Sequence, residues 1–167
     1  MTDNEFKQIM ESHGVRLMHI GMIVQDREAA EAAISWLPYF GDWYNRREVT
    51  WEKETTTKGA PHKIRIAQND IMSGLPIELV QPVARKCENT YFDKYFEQEQ
   101  EGLHHIAYTC PTYESYCLMI ERAKEKGYVP VQNTRGIQKR EADEYEVEFT
   151  YLKAPKSGIY IEVSWRN

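Results

Sequence analysis

The chain has 167 residues, of which 41% are hydrophobic and 28% are charged, and its formal net charge is −5, a composition typical of a soluble globular protein. The acidic balance excludes functions that depend on a basic nucleic-acid-binding surface. The N-terminus is polar and acidic, unlike a secretory leader, and no apolar run approaches the roughly 20 residues of a membrane span, so the sequence predicts a cytoplasmic protein without a membrane partner.

The first half of the chain predicts a leading helix followed by a β-α-β-β-β series. Residues 3–12 have the spacing of a short amphipathic helix, and residues 17–24 are apolar and rich in β-formers. Asp26 can cap a helix over residues 27–37, which Pro38 would stop. Alternation and β-branched or aromatic residues predict three more strands, over residues 43–54, 62–68 and 76–81, the last ended by Pro82.

The second half repeats this order after a short helix predicted over residues 89–99. A strand over residues 103–109 precedes a helix that starts at Thr112 or Tyr113 and is closed by Gly127. Further strands are predicted over residues 128–132, 146–152 and 159–165. The internal repeat predicts one domain over residues 1–167, made of a first module (15–85), a connecting helix (86–101) and a second module (102–167).

A histidine at the head of an apolar strand, followed by a glutamate inside another, occurs once in each half. Glu78 follows His19 by 59 positions (78 − 19), and Glu162 follows His105 by 57 (162 − 105). Alternation along a strand turns each of them away from its apolar neighbours. A carboxylate buried in such a strand is costly unless it is paired or coordinated. The four residues are therefore predicted to ligate one divalent metal ion (zinc, cobalt, nickel, manganese or iron), with remaining positions open to water or substrate.

The other histidines and cysteines receive structural interpretations. His104 adjoins His105, so alternation predicts that it points the other way and supports the site or the fold. His13 and His62 have polar neighbours and are predicted to lie at the surface, like the glutamates Glu52 and Glu54 and those of residues 141–148. Three cysteines without CxxC spacing indicate neither a disulfide framework nor a thiolate zinc site, and two of them are predicted to be core residues, Cys110 and Cys117.

Four segments, residues 19–24, 77–82, 102–108 and 155–163, resemble the vicinal oxygen chelate superfamily, also called the glyoxalase/bleomycin-resistance/extradiol-dioxygenase group. The methylmalonyl-CoA epimerases and glyoxalase-like proteins are the most similar branch. The resemblance implies an α+β fold of two tandem βαβββ modules, whose curled mixed β-sheet and flanking helices enclose a metal-containing cleft. It implies the same four ligands, a small-molecule substrate and, as is common among such proteins, a homodimer.

The resemblance also implies metal-assisted chemistry on a small oxygenated substrate, as in an epimerase, isomerase or lyase. The ion would stabilise an enolate, and Glu162 or Glu78 would serve as the catalytic base by leaving the metal. Weaker candidates for the base are Tyr151, Glu148 and Tyr108, and the aromatic and basic residues that could line the cleft are Trp43, Tyr44, Arg46, Arg47 and Trp51.

The sequence departs from the epimerases in three stretches, residues 36–54, 55–60 and 152–156, and the second of them bears on the base. The epimerases carry a glutamate before the third strand that is a proposed base, whereas this chain reads Thr-Thr-Thr-Lys-Gly-Ala over residues 55–60. Two alternatives therefore stay open beside the epimerase or lyase: a metal-free small-molecule-binding or resistance protein of the same fold, and a dioxygenase. The complete set of four ligands argues against both, because a sequestering module needs no buried ligand set and a dioxygenase normally uses two histidines and one carboxylate.

Overall fold

The backbone forms three helices and eight strands within the residues that the structure, a computed structural model, describes: 1–38, 40–51, 62–70, 74–85, 100–140 and 143–167. In chain order they are α1 (Asp3–Ser12), β1 (Arg16–Ile23), α2 (Arg27–Ile34), β2 (Tyr44–Trp51), β3 (His62–Asp70), β4 (Pro76–Arg85), β5 (Gly102–Cys110), α3 (Tyr113–Glu125), β6 (Val129–Arg140), β7 (Asp143–Lys153) and β8 (Tyr160–Arg166). The helix predicted over residues 89–99 lies outside the described residues. No helix in the described part of the chain is long and apolar enough to cross a membrane.

All eight strands belong to one mixed sheet, in the order β2-β3-β4-β1-β5-β8-β7-β6. Within each half the first and last strands are parallel, β1 with β4 and β5 with β8. The halves meet where β1 and β5 pair antiparallel. This arrangement confirms the predicted α+β class of two tandem βαβββ modules in a curled mixed sheet.

The seam between β1 and β5 carries two irregularities that matter for the site. Leu17 pairs with Tyr108 and His19 with Ala107, so Met18 is an extra residue on β1. Further along, Gly21 pairs with His105 and Met22 with Leu103, so His104 is an extra residue on β5. Such bulges break the alternation of side chains between the two faces of a strand. Each of the two predicted histidine ligands is thus immediately preceded by a bulged residue.

The helices cover the outer face of the sheet. Helix α2 begins where the Asp26 carboxylate accepts a hydrogen bond from the Ala29 amide (3.0 Å), and α3 begins where the Thr112 hydroxyl accepts one from Ser115 (3.1 Å). Around α2 lies a cluster of apolar side chains, Val24, Trp43, Ala67 and Leu79. The cluster around α3 consists of Cys110, Tyr116, Leu152 and Val163. Burial of these apolar surfaces drives the helices onto the sheet.

The inner face of the sheet holds a third apolar cluster, made of Ile23, Ile66, Val80, Val147, Phe149 and Tyr151. Val80 of this cluster lies two positions from Glu78 on β4, and Tyr151 pairs with Glu162 across β7 and β8. Since residues two apart on a strand share a face, the predicted ligands and this cluster lie on the same side. The predicted ligands therefore lie beside apolar side chains on the concave side of the sheet.

Two prolines lie inside strands, against the expectation that Pro82 would end one. Strand β4 continues through Pro82 to Arg85, and β6 contains Pro130. Each proline lies next to a shift in the strand register. The shift near Pro82 falls between Lys63 and Ile64 on the paired strand β3, and the other falls between Pro130 and Gln132 on β6. In each case the extra, unpaired residue is the valine after the proline, Val83 or Val131, so the ladder is interrupted directly beside the proline, a position that strands tolerate for this residue. The prediction that Pro82 ends the strand was wrong for this reason.

Candidate metal centre

Four side chains converge at the seam between the two halves. The Nε2 atoms of His19 and His105 are 2.9 Å apart. Glu78 Oε2 lies 3.2 Å from His19 Nε2 and 3.9 Å from His105 Nε2. Glu162 Oε2 lies 3.2 Å from His105 Nε2 and 3.7 Å from His19 Nε2. Their exposed fractions are 2% for His19, 8% for Glu78, 1% for His105 and 7% for Glu162, so the structure brings the predicted residues together in a buried position.

The charges of this group stabilise one another against burial. Desolvation raises the pKa of Glu78, but attraction to His19 and His105 outweighs it and lowers the value to about 2. Desolvation likewise raises the pKa of Glu162, and hydrogen bonding and attraction to His105 lower it overall. For His19, burial lowers the pKa and the two carboxylates raise it, with a net increase. The carboxylates are therefore ionised, and positive charge between them is favourable.

The converging atoms form a donor set suited to a divalent cation. Only one proton fits between two imidazole nitrogens 2.9 Å apart, and the two carboxylate oxygens add further lone pairs at the same point. Donor atoms of His19, His105 and Glu162 all lie within 4.8 Å of one another, and Glu78 approaches from the side of β4. Two imidazoles and two carboxylates suit zinc and the neighbouring transition metals. The residues present therefore fit a metal ion.

Each carboxylate has a hydrogen-bond donor on the adjacent strand. Gln68, which pairs with Glu78 across β3 and β4, donates from Nε2 to Glu78 Oε1 (2.9 Å). Tyr151, which pairs with Glu162 across β7 and β8, donates from its hydroxyl to Glu162 Oε2 (2.8 Å). Such contacts orient metal ligands and adjust how strongly they bind. Gln68 and Tyr151 thus occupy corresponding positions in the two halves.

His104 lies beside the centre and not on the opposite face. Its Nδ1 is 2.8 Å from Nδ1 of His105, and its ring centroid is 4.7 Å from that of Tyr160 and 5.9 Å from that of Tyr151. The predicted direction was wrong because the bulge at this residue removes the alternation on which the prediction relied. A supporting role, the other part of that prediction, is compatible with a contact that fixes the orientation of the His105 ring.

Small residues face both histidine rings across the seam. Gly21 pairs with His105, and Ala107 pairs with His19. A Cβ atom on Gly21 would fall 1.9 Å from Cε1 of His105, so no larger residue fits there unless that ring moves. Sequence reasoning missed Gly21, although a signal was present: each histidine is followed two positions later by a glycine or alanine.

Two of the weaker candidates for the base lie away from the centre. Glu148 is only 8% exposed, and its Oε1 accepts hydrogen bonds from Asn133 (3.0 Å) and Tyr116 (3.3 Å) beneath α3. Both predictions for Glu148 were therefore wrong, because it lies away from the site and is not a solvated strand residue. Tyr108 lines a groove between α1 and α3 on the outer face. Of the three weaker candidates, Tyr151 alone contacts a predicted ligand.

The residues expected to line the cleft divide between the two faces. Trp43 is buried under α2 and donates from Nε1 to the Ser35 hydroxyl (2.9 Å), while Arg46 pairs with Glu31 (2.7 Å). Both lie on the outer face, so the prediction was wrong for them. Tyr44 is 39% exposed, and the side chain of Trp51 lies outside the described part.

Arg47 is connected to the centre through two amides. It pairs with Ile66, whose side chain belongs to the inner cluster, and donates from Nη1 to Asn45 Oδ1 (2.9 Å). Asn45 in turn donates to Gln68 Oε1 (2.9 Å), which places it next to the donor that holds Glu78. Asn45 has φ 53°, a left-handed conformation that asparagine tolerates better than most residues. Sequence reasoning identified neither Asn45 nor Gln68, because their positions depend on pairing across β2, β3 and β4.

Comparison with known proteins agrees with this architecture. Among solved structures, methylmalonyl-CoA epimerase from Mycobacterium tuberculosis is similar, with 21% identity and a TM-score of 0.50 over 89% of this chain and 86% of that chain. A substituted 4-hydroxymandelate synthase from Streptomyces coelicolor has 15% identity and a TM-score of 0.51 over 92% of this chain and 49% of that chain, so this chain spans about half its length. At such identities the likeness concerns the fold alone. No curated protein matches the chain in sequence. Residues 18–149 match the Glyoxalase/Bleomycin resistance protein/Dioxygenase superfamily, and the chain belongs to that superfamily.

Proposed function

We propose that this protein is a metal-dependent isomerase or lyase, which uses one divalent ion to stabilise an enolate of a small oxygenated substrate. His19, Glu78, His105 and Glu162 would hold the ion, which would be zinc, cobalt, nickel, manganese or iron. The reaction would be of the kind carried out by methylmalonyl-CoA epimerases or lactoylglutathione lyases. The observation that carries the proposal is the convergence of two imidazoles and two ionised carboxylates, all buried, from both halves of the chain.

A divalent ion held by these four residues would supply positive charge for an oxygen that becomes negative in the reaction, which is a large contribution in a site shielded from water. The chain supplies the base. Glu162 or Glu78 takes the proton from the carbon next to a carbonyl and becomes a carboxylic acid, while the electron pair of the C–H bond moves toward the carbonyl oxygen. The same acid returns the proton to that carbon or to its neighbour. A well-placed base of this kind contributes about 10²–10⁴-fold to the rate.

Neither alternative is favoured by a specific contact. A sequestering module gains nothing from burying two carboxylates, because each one costs free energy unless a cation compensates it. A dioxygenase needs several open positions on iron, and the second carboxylate occupies one of them. Both remain outcomes that the experiments below distinguish.

The metal site is tested by elemental analysis of protein purified without chelator. We expect near-stoichiometric metal in the unsubstituted protein and loss of metal in the His105→Ala and Glu162→Gln variants. His13→Ala is the matched control, since His13 is exposed at the end of α1. Circular dichroism establishes that each variant is folded. Equal metal content in all four proteins would remove these residues from a metal site.

The chemistry is tested by incubating the metal-loaded protein with candidate oxygenated substrates in deuterium oxide and following exchange by NMR. Deuterium at the carbon next to a carbonyl, lost in Glu162→Gln or in Glu78→Gln, supports the isomerase or lyase. Tight ligand binding without exchange or turnover would instead indicate the sequestering module. Oxygen consumption would indicate a dioxygenase.

A further inference from the structure

The two carboxylates of the metal centre are held in different ways, although they occupy corresponding positions in the two halves. Gln68 faces Glu78, and Tyr151 faces Glu162, each as the residue paired with its carboxylate on the adjacent strand. The repeat therefore places an amide in one half where it places a phenol in the other. Both contacts are close, at 2.9 Å and 2.8 Å.

The two donors bind different oxygens. In each carboxylate Oε2 is the atom that faces the imidazole nitrogens, at 3.2 Å from His19 for Glu78 and 3.2 Å from His105 for Glu162. Gln68 donates to Oε1 of Glu78, so Oε2 keeps its lone pairs for an ion. Tyr151 donates to Oε2 of Glu162, the atom that would also bind the ion.

Tyr151 is rigid in this position. Its side chain is part of the inner apolar cluster and is 6% exposed. Its ring meets those of His105 and Phe149 edge to face, with centroids 5.2 Å and 5.8 Å away. The hydroxyl is therefore held next to Glu162 whether or not that carboxylate binds an ion.

A hydrogen bond to the binding oxygen has two consequences. It withdraws electron density from that oxygen, which weakens the bond to the ion. It also persists when the oxygen leaves the ion, so the freed carboxylate keeps a strong charge-assisted partner. A hydrogen bond to the other oxygen, as in Glu78, fixes the carboxylate without competing for its binding atom.

We propose that Tyr151 is a positioning residue that makes Glu162 the exchangeable carboxylate and hence the base, while Gln68 keeps Glu78 as the permanent ligand. This inference rests on the proposed function. The proton moves from the substrate carbon to Glu162 and back, and Tyr151 retains its own proton throughout.

The inference is tested by measuring Co²⁺ affinity by competition with a chelator at one fixed pH. We expect Tyr151→Phe to bind Co²⁺ more tightly, by about three- to tenfold, because the ion no longer competes with a hydrogen bond from the phenol for the binding oxygen, and one such hydrogen bond has a net contribution of this size. We expect Gln68→Leu to bind it about tenfold more weakly, since Glu78 loses its orientation. A merely structural tyrosine would give weaker binding in Tyr151→Phe, so the sign of the change separates the two roles. Tyr128→Phe, in the groove between α1 and α3, is the control and should leave affinity unchanged.

The visible spectrum of bound Co²⁺ gives an independent measurement, because it reports the ligands directly. It should shift in Tyr151→Phe and stay constant in Tyr128→Phe. The affinity should also fall further in Glu78→Gln than in Glu162→Gln. Unchanged or weaker binding in Tyr151→Phe, or a larger loss in Glu162→Gln, would overturn the role of Tyr151 alone. An unsubstituted protein that binds no Co²⁺ would overturn the proposed function together with this inference.

Discussion

Replacing Gly21 with alanine, which adds a single methyl group, should disable the proposed metal centre. The added Cβ would lie 1.9 Å from Cε1, 2.3 Å from Nε2 and 2.4 Å from Nδ1 of His105. Because non-bonded carbon atoms settle at about 3.5 Å or more, the ring must retreat by about 1.5 Å. Pairing with β4 and β5 on its two sides holds the backbone of β1, so the imidazole moves instead of the strand. His105 then loses its 2.9 Å approach to His19.

Two magnitudes follow from this clash. Overpacking a buried site costs about 1–3 kcal/mol of unfolding free energy. A displaced ligand weakens metal binding at least as much as the loss of an orienting contact does, about 10–100-fold. The metal-dependent increase in melting temperature should therefore shrink or disappear, whereas the variant remains folded.

The measurement is thermal unfolding of Gly21→Ala with and without Zn²⁺, together with Zn²⁺ affinity by equilibrium dialysis. Gly158→Ala is the matched control, because a Cβ there meets nothing within 4 Å. The control should match the parent in both measurements. If Gly21→Ala also matched the parent, the close approach of the His105 ring to β1 would be refuted.

Three further predictions concern Glu31, His19 and Cys110. Glu31 is 7% exposed and pairs with Arg27 (2.9 Å) and Arg46 (2.7 Å), so Glu31→Gln should cost about 1–3 kcal/mol in urea unfolding, whereas exposed Glu28→Gln should cost little. Metal affinity should fall from about pH 8 to about pH 6, because the raised pKa of His19 lets protons compete for its ring nitrogen; affinity that is constant over this range would exclude His19 as a ligand. Burial raises the pKa of Cys110 to about 11, so mass spectrometry should find it alkylated much more slowly in the native protein than after unfolding, and equal rates would contradict its burial.

The repeat in the sequence predicted the order of the elements and singled out the four proposed ligands, and the family resemblance implied the curled sheet. Alternation within four short strands placed two histidines and two glutamates on one face, and the matching intervals indicated that the halves share an architecture. Helix α1 was predicted at its observed bounds, because residues 3–12 combine an amphipathic pattern with polar residues at the start.

What sequence reasoning missed depends on pairing between distant segments. A bulge sets the direction of the His104 side chain. It breaks the alternation of side chains along the strand, and no particular residue type marks its position in the sequence. The burial of Glu148 depends on Asn133 and Tyr116, which reach it from β6 and α3. The part played by Gln68 follows from its register against Glu78. None of these relations is local in the chain.

The position of the ligands on both sides of the seam gives a bound ion a mechanical consequence. Two of its bonds would go to the first half of the chain and two to the second, so the ion would act as a cross-link between halves joined there by one antiparallel strand pair. Separation of β1 from β5 would require the ion to dissociate first. Resistance to that opening would then increase with the logarithm of free metal concentration, and cellular metal supply would set how long the two halves stay joined.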